Sequence, residues 1–164
     1  MEQIDYYHLS GVVLEPGSII KAGNWGRIIR QAAWTHNLAI REMALEEARR
    51  LRFPHRPSRM DSVFVFVDVF EARNFRGRIP GFGAHILYRV SLVDPTAPAH
   101  VTDTRLAGPA GTLRPDWADI YWSDFNPATI VVPGIDSWAA ATDGNFQERE
   151  LITTSDIRIE EVLA

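Results

Sequence analysis

No cysteine occurs among the 164 residues, so disulfides, thiolate nucleophiles and zinc–thiolate sites are excluded at the outset. Long apolar runs are missing as well, and the opening Met-Glu-Gln-Ile-Asp carries acid where a secretory leader carries base. The expectation is a cytoplasmic protein with no membrane partner, or one delivered from its own cell into another. There is no G-x-x-x-x-G-K-[ST] phosphate loop, no G-x-S-x-G elbow and no H-E-x-x-H helix, which removes three large enzyme classes. The five histidines are scattered, and no metal site is expected. Positive charge is not in excess either. A formal charge of -4 argues against a protein built to coat nucleic acid or anionic lipid.

What is present is the composition of an ordinary folded domain, 46% apolar and 23% charged. A chain of about this length buries roughly 70% of its unfolded surface, and residues 1–164 are read as one domain. Tyr6 to Val13 is β-prone and stops at Glu15-Pro16-Gly17. Gly23-Asn24 can cap a helix with Ile28, Ile29, Ala32 and Ala33 on its apolar face. Asn37 then caps a second helix, whose apolar face is read as Leu38, Ile40, Met43, Ala44, Ala48 and Leu51, ending before Pro54. Val63 to Phe70 is a strand followed by a short helical segment around Glu71 to Phe75, and His85 to Val93 is another strand. Residues 95–116 read as a long irregular connection in which short strands can hide. Trp117 to Trp122 reads as a short helix, Ile130 to Val132 as a buried strand, and Gln147 to Thr153 with Ile157 to Val162 as closing strands. Helices early and strands late give an α+β class.

Charge is unevenly distributed. Residues 41–59 hold six arginines against three glutamates, and residues 136–164 hold seven acids against two arginines. One reading is a solvated helix face pairing with the acidic end. The other is that Arg56 or Arg59, set among prolines at the entrance to a strand, grips a phosphate bidentately. Asp116 and Asp119, three apart, would share a helix face as paired carboxylates or metal ligands do, or Asp116 simply caps that helix. Gly108-Pro109-Ala110-Gly111-Thr112 is read as a turn and not as a phosphate cradle, because it contains proline and no lysine follows.

Tyr7-His8 followed by Leu14-Glu15-Pro16-Gly17 resembles the opening strand of diphtheria-toxin-like ADP-ribosyltransferases. Val63 to Asp68 with Phe70-Glu71-Ala72-Arg73-Asn74-Phe75 resembles their second motif, His85 to Val93 the next strand, and Glu150-Leu151-Ile152 with Ile157 and Val162 the closing glutamate strand. Pro-Gly-Ser-Ile-Ile, Gly-Asn-Trp-Gly-Arg and Pro-Ser-Arg are also similar to a family of uncharacterised bacterial proteins. The resemblance spans most of the chain through short motifs. It implies an ADP-ribosyltransferase-like fold: two small facing β-sheets around an NAD cleft, with N-terminal helices.

The implied activity is transfer of ADP-ribose from NAD, as co-substrate, to a protein or nucleic-acid acceptor, in the role of a toxin, effector or phage-conflict protein. Glu150 matches the glutamate that stabilises an oxocarbenium-like transition state. His8 matches the histidine that orients NAD. The family's central tyrosine has no direct counterpart, and Phe64, Phe66 or Tyr88 is expected to stack on the nicotinamide ring instead. Arg59 and Ser62 complete the expected NAD-contacting set. Glu148-Arg149-Glu150 resembles the Glu-x-Glu pattern of arginine-modifying members, in which Glu148 would align the acceptor; two residues apart on a strand, the glutamates would share a face. The alternatives are a non-enzymatic nucleotide-binding or interaction module on the same fold, and an RNA 2′-phosphotransferase-like enzyme using the basic segment from Arg49 to Arg59.

Overall fold

Tyr6–Ser10 forms strand β1 and Ile19–Ile20 a short β2, with the turn at Glu15-Pro16-Gly17 between them. Helices α1 (Asn24–Ala32) and α2 (Ala39–Arg52) follow, then β3 (Val63–Phe66), α3 (Val69–Arg78), β4 (Ile86–Leu92), β5 (Ala99–Asp103), α4 (Pro115–Trp122), β6 (Arg149–Thr153) and β7 (Ile157–Val162). These elements come from a computed structural model that describes residues 4–108, 114–125, 132, 135 and 148–163. The α+β class is as expected. Among the described residues no helix is long and apolar enough to cross a membrane.

Local chemistry accounts for most element ends. Gly23 sits at φ 88°, in left-handed backbone that suits glycine, and starts α1. Asp68 caps α3 by accepting from the amides of Phe70 at 2.7 Å and Glu71 at 3.3 Å. This makes α3 longer than the expected short helical segment, and β3 correspondingly shorter. Pro115 opens α4 in the first turn, where its missing N–H is not needed. Two expected caps differ. Leu38, not Asn37, precedes α2, and Asp116 lies inside α4 paired with Arg114 at 3.1 Å. The irregular connection from 95 does hide a strand, β5. The Ile130 to Val132 strand falls outside the described residues except for Val132, which is buried and not in a strand.

The seven strands form one antiparallel sheet in the order β2-β7-β4-β1-β3-β6-β5, where two separate small sheets were expected. The difference lies at one seam. β1 pairs with β4 along its whole length, but with β3 only at Tyr7 and Phe66. The half β2-β7-β4-β1 therefore joins the half β3-β6-β5 at a single position, and the backbones part on either side of it.

Three buried clusters fill the space around the sheet. Val63, Val65, Tyr88, Val90, Leu151, Ile157 and Ile159 pack on one face. On the other, α2 and α4 bring Leu45, Trp117, Tyr121 and Trp122 against Ile152, while Ala72 of α3 packs with Leu9, Phe66 and Leu87. The buried face of α2 shares only Ala48 with the expected one. Ala39, Glu42, Leu45 and Ala48 point inward, and Ile40, Met43 and Leu51 are 71%, 51% and 66% exposed. Glu42 is not among the residues of the expected apolar face, but its carboxylate turns inward to two arginines and takes its helix face with it.

One close contact fixes the N-terminal helices to the seam. A Cβ on Gly26 would lie 1.9 Å from the backbone oxygen of Met60, in the 3₁₀ turn Arg59–Asp61 that leads into β3. Gly26→Ala should therefore force that turn away from α1 and lower stability by about 1–3 kcal/mol, the usual cost of overpacking. A denaturant midpoint unchanged from wild type would show that the contact yields freely.

Candidate functional site

The parting of β1 from β3 opens a cleft of about 780 Å³, within the usual range for small-molecule sites. Its floor is His8 and Leu9 of β1 and Phe64, Val65 and Phe66 of β3, with Glu150 of β6 beside them. The N-terminal helices supply a wall of Trp25, Asn37, Leu38 and Arg41. Phe75, Arg78, Pro80 and Phe82 close the opposite side, and Arg105 and Trp117 come from the segments after β5. His8 and Glu150, far apart in the chain, thus meet in one cavity.

Arg59 organises the interior of this site. Its buried guanidinium donates from Nε to Glu42 Oε2 at 2.8 Å and from Nη2 to Glu42 Oε1 at 3.1 Å. Nη1 donates to the Tyr121 hydroxyl and, at 3.1 Å, to Glu150 Oε1. The Tyr121 hydroxyl in turn donates to the same Glu150 oxygen at 2.7 Å. Arg59 Cζ also lies 4.4 Å from the centre of the Phe64 ring, a cation–π contact. Glu150 is therefore gripped through Oε1 alone. Among the described residues Oε2 has no hydrogen-bond partner, and the residue lines the cleft.

Electrostatics follow from this geometry. Burial acts to raise the Glu42 pKa, but the charge and hydrogen bonds of Arg59, then those of Arg41, outweigh it and hold the carboxyl at about 2. Burial pushes Tyr121 well above its ordinary value, and although Arg59 opposes this, Glu150 adds to it, so the phenol remains a donor. Burial lowers the pKa of His8, more than the hydrogen bond to the Phe64 carbonyl raises it. His8 Nδ1 lies 2.9 Å from that carbonyl oxygen, which can only accept, so Nδ1 carries the proton. In the neutral ring Nε2 is then an acceptor.

The other expected site residues have different places. Phe64 and Phe66 line the cleft as anticipated. Tyr88 does not: it is fully buried among Val65, Val90 and Leu151, and its hydroxyl accepts from Leu14 N at 2.9 Å and donates to Val12 O at 3.0 Å, fastening the loop after β1. Ser62 is buried, with its hydroxyl donating to Ser58 O at 2.6 Å. Arg59 lines the cleft, but its donors are committed to carboxylates and Tyr121, which replaces the phosphate grip expected of it. Glu148 is fully buried just before β6, bound by Arg78 Nε at 2.8 Å and by the Thr104 hydroxyl at 2.7 Å. Arg78, not Glu148, is what a molecule in the cleft would meet.

Glu42, Tyr121, Arg41, Arg78 and Trp25 were not singled out from sequence. Trp117 and Tyr121 read in sequence only as part of a short helix. The signal for Glu42 exists only in three dimensions, as a carboxylate facing the arginine that follows Pro57 and Ser58. The basic segment pairs within α2 and across to α4 and the residues just after it: Arg49 with Glu46, Arg52 with Asp119, Arg56 with Asp124. Among the described residues only Arg59 of this segment pairs with an acid of the C-terminal part, Glu150. Among the described residues no cluster of His, Asp or Glu could hold a metal ion.

Because Glu42 titrates at about 2 in the fold against 4.5 ordinarily, its pairing stabilises the protein fully above pH 4.5 and loses that effect as pH falls toward 2. Glu42→Gln should cost about 3–5 kcal/mol at pH 7, since it strands Arg59 and Arg41 in the interior. Its acid sensitivity between pH 4.5 and 2 should be weaker than that of wild type. Urea unfolding at pH 7 and pH 3 measures both, and an equal loss of stability on acidification in the two proteins would refute the assignment.

No protein-family model matches the chain and no curated protein matches it.

Proposed function

We propose that the protein is an ADP-ribosyltransferase that takes NAD into the cleft between β1 and β3, breaks the nicotinamide–ribose bond and passes ADP-ribose to a macromolecular acceptor. The observation that carries this reading is Glu150, held through one carboxylate oxygen by Arg59 and Tyr121, with no partner for the other among the described residues, in the cleft that His8 also lines. On this reading the finer fold is ADP-ribosyltransferase-like, the two halves of the sheet standing for the two facing sheets of that family.

In the reaction the C1′–N bond breaks and its electron pair leaves with nicotinamide, which departs neutral. Positive charge develops across C1′ and the ring oxygen, and the Glu150 carboxylate faces it while accepting from a ribose hydroxyl. His8 Nε2 accepts from a second ribose hydroxyl. The ring of Phe64 or Phe66 offers a face to the cationic nicotinamide. The acceptor's nucleophile then bonds to C1′ and releases its proton.

The charge of the cleft favours NAD over the alternatives. Four arginines line it, and each is matched by a buried carboxylate: Arg41 and Arg59 by Glu42 and Glu150, Arg78 by Glu148, Arg105 by Asp103. A site so nearly neutral suits a dinucleotide with a cationic ring at one end better than ATP or a polyanionic RNA end.

Incubation with NAD labelled in its adenylate half, together with a cell lysate, should release nicotinamide and transfer label. Glu150→Gln keeps the shape but removes the charge, and should reduce nicotinamide release by about 10²–10³. Binding of NAD with no turnover by the wild type would favour a non-enzymatic nucleotide module. Absence of NAD binding, or full activity in Glu150→Gln, would overturn the proposal.

A further inference from the structure

Two side-chain donors in the cleft are buried with no hydrogen-bond partner among the described residues, Trp25 Nε1 and Arg41 Nε. Leaving such a donor without a partner is costly, and in folded proteins an orphan of this kind calls for a water, an ion or a ligand. Both groups donate and cannot accept, so whatever satisfies them must present acceptor atoms.

The fixing of Arg41 narrows the chemistry. Its Nη1 donates to the Gly108 carbonyl at 3.1 Å and its Nη2 to Glu42 Oε1 at 2.6 Å, which locks the guanidinium plane. Glu42 is at the same time bound by Arg59. One carboxylate thus serves two guanidinium groups, leaving a net positive charge at this wall, while Glu150 stands on the far side of Arg59 with a negative one. The cleft is polarised, cationic toward α2 and anionic at β6. A matching ligand is anionic at one end and cationic at the other.

We infer that Trp25 and Arg41 form an anion subsite of the cleft, their orphan donors taking the phosphate oxygens of a nucleotide diphosphate. The identity of the nucleotide rests on the function proposed above; the anion subsite does not. It also gives the phosphate-binding role expected of Arg59 to Arg41, because Arg59 has its donors engaged.

The test uses the full chain and titrates inorganic pyrophosphate, ADP-ribose and nicotinamide into wild type, Trp25→Phe and Arg41→Lys, with thermal melts to verify folding. Trp25→Phe keeps an aromatic ring and loses the N–H, and should weaken ADP-ribose about tenfold, as one lost hydrogen bond to a charged group predicts. Arg41→Lys should weaken it at least as much, and nicotinamide should bind all three alike. In wild type, pyrophosphate should compete with ADP-ribose and shift the Trp25 indole N–H resonance, a measurement that needs no variant. If pyrophosphate binds and shifts that resonance but neither ADP-ribose nor NAD binds, the anion subsite stands and the transferase reading fails. If pyrophosphate neither binds nor moves the Trp25 signal, or if both folded variants keep wild-type affinity for ADP-ribose, the subsite is wrong.

Discussion

A guanidinium group removed from water needs counter-charge and hydrogen-bond acceptors from the protein, and Arg59 finds them on groups from three elements. Glu42 comes from α2, Tyr121 from α4 and Glu150 from β6. The helical layer is thereby tied to the β3-β6-β5 half of the sheet at the point where the cleft opens. Such a buried network is a weak source of net stability, because desolvation offsets much of the attraction, but breaking it is costly. Its main effect is geometric. Only one arrangement of α2, α4 and β6 satisfies every member, so the position of the Glu150 carboxylate follows from the packing of the helices.

The seam between β1 and β3 is the second constraint. Paired at a single position, these strands cannot close over each other, and His8 Nδ1 bridges the gap to the Phe64 carbonyl at 2.9 Å. The unpaired edges would expose backbone groups at any ordinary sheet interior. Here they border the cleft, and aromatic side chains from β3 and α3 fill part of it. α3 is held over this region by Glu71, which accepts from the Arg149 amide at 2.8 Å and from its side chain at 2.9 Å. The same strand, β6, therefore carries a tie to α3 at Arg149 and the cleft carboxylate at Glu150, one residue apart and on opposite faces.

Charge pairing around the cleft links stability to recognition. Each lining arginine is held by a carboxylate, so none is free to swing, and what remains for a ligand is shape, aromatic surface and a few buried donors without partners among the described residues. Rigid, prepaid placement of this kind reduces the ordering cost of binding. It also separates the positive wall at Arg41 from the negative one at Glu150 through the shared Glu42, which gives the cavity a direction.

The sequence by itself determined the α+β class, the order of most elements and the β-prone closing run containing Glu150, since these depend on short-range periodicity, proline, and capping at Gly23. It also pointed to His8, Phe64 and Phe66, which line the cleft where β1 and β3 meet. It did not determine the buried face of α2, the role of Tyr121, or the partners of Arg59. Each of those depends on a pairing between residues distant in the chain, such as Glu42 with Arg59 or Tyr121 with Glu150, and hydropathy reads a buried ion pair as surface. Tyr88 and Glu148 show the same limit from the other side. Tyr88 lies opposite His8 in register, yet its hydroxyl is drawn to the backbone of Val12 and Leu14. Glu148 shares the expected spacing with Glu150, yet it precedes the strand and is covered by Arg78. Spacing specifies which residues share a face of an isolated strand; only the packed tertiary structure decides what covers that face, because desolvated charges settle wherever a counter-charge is within reach.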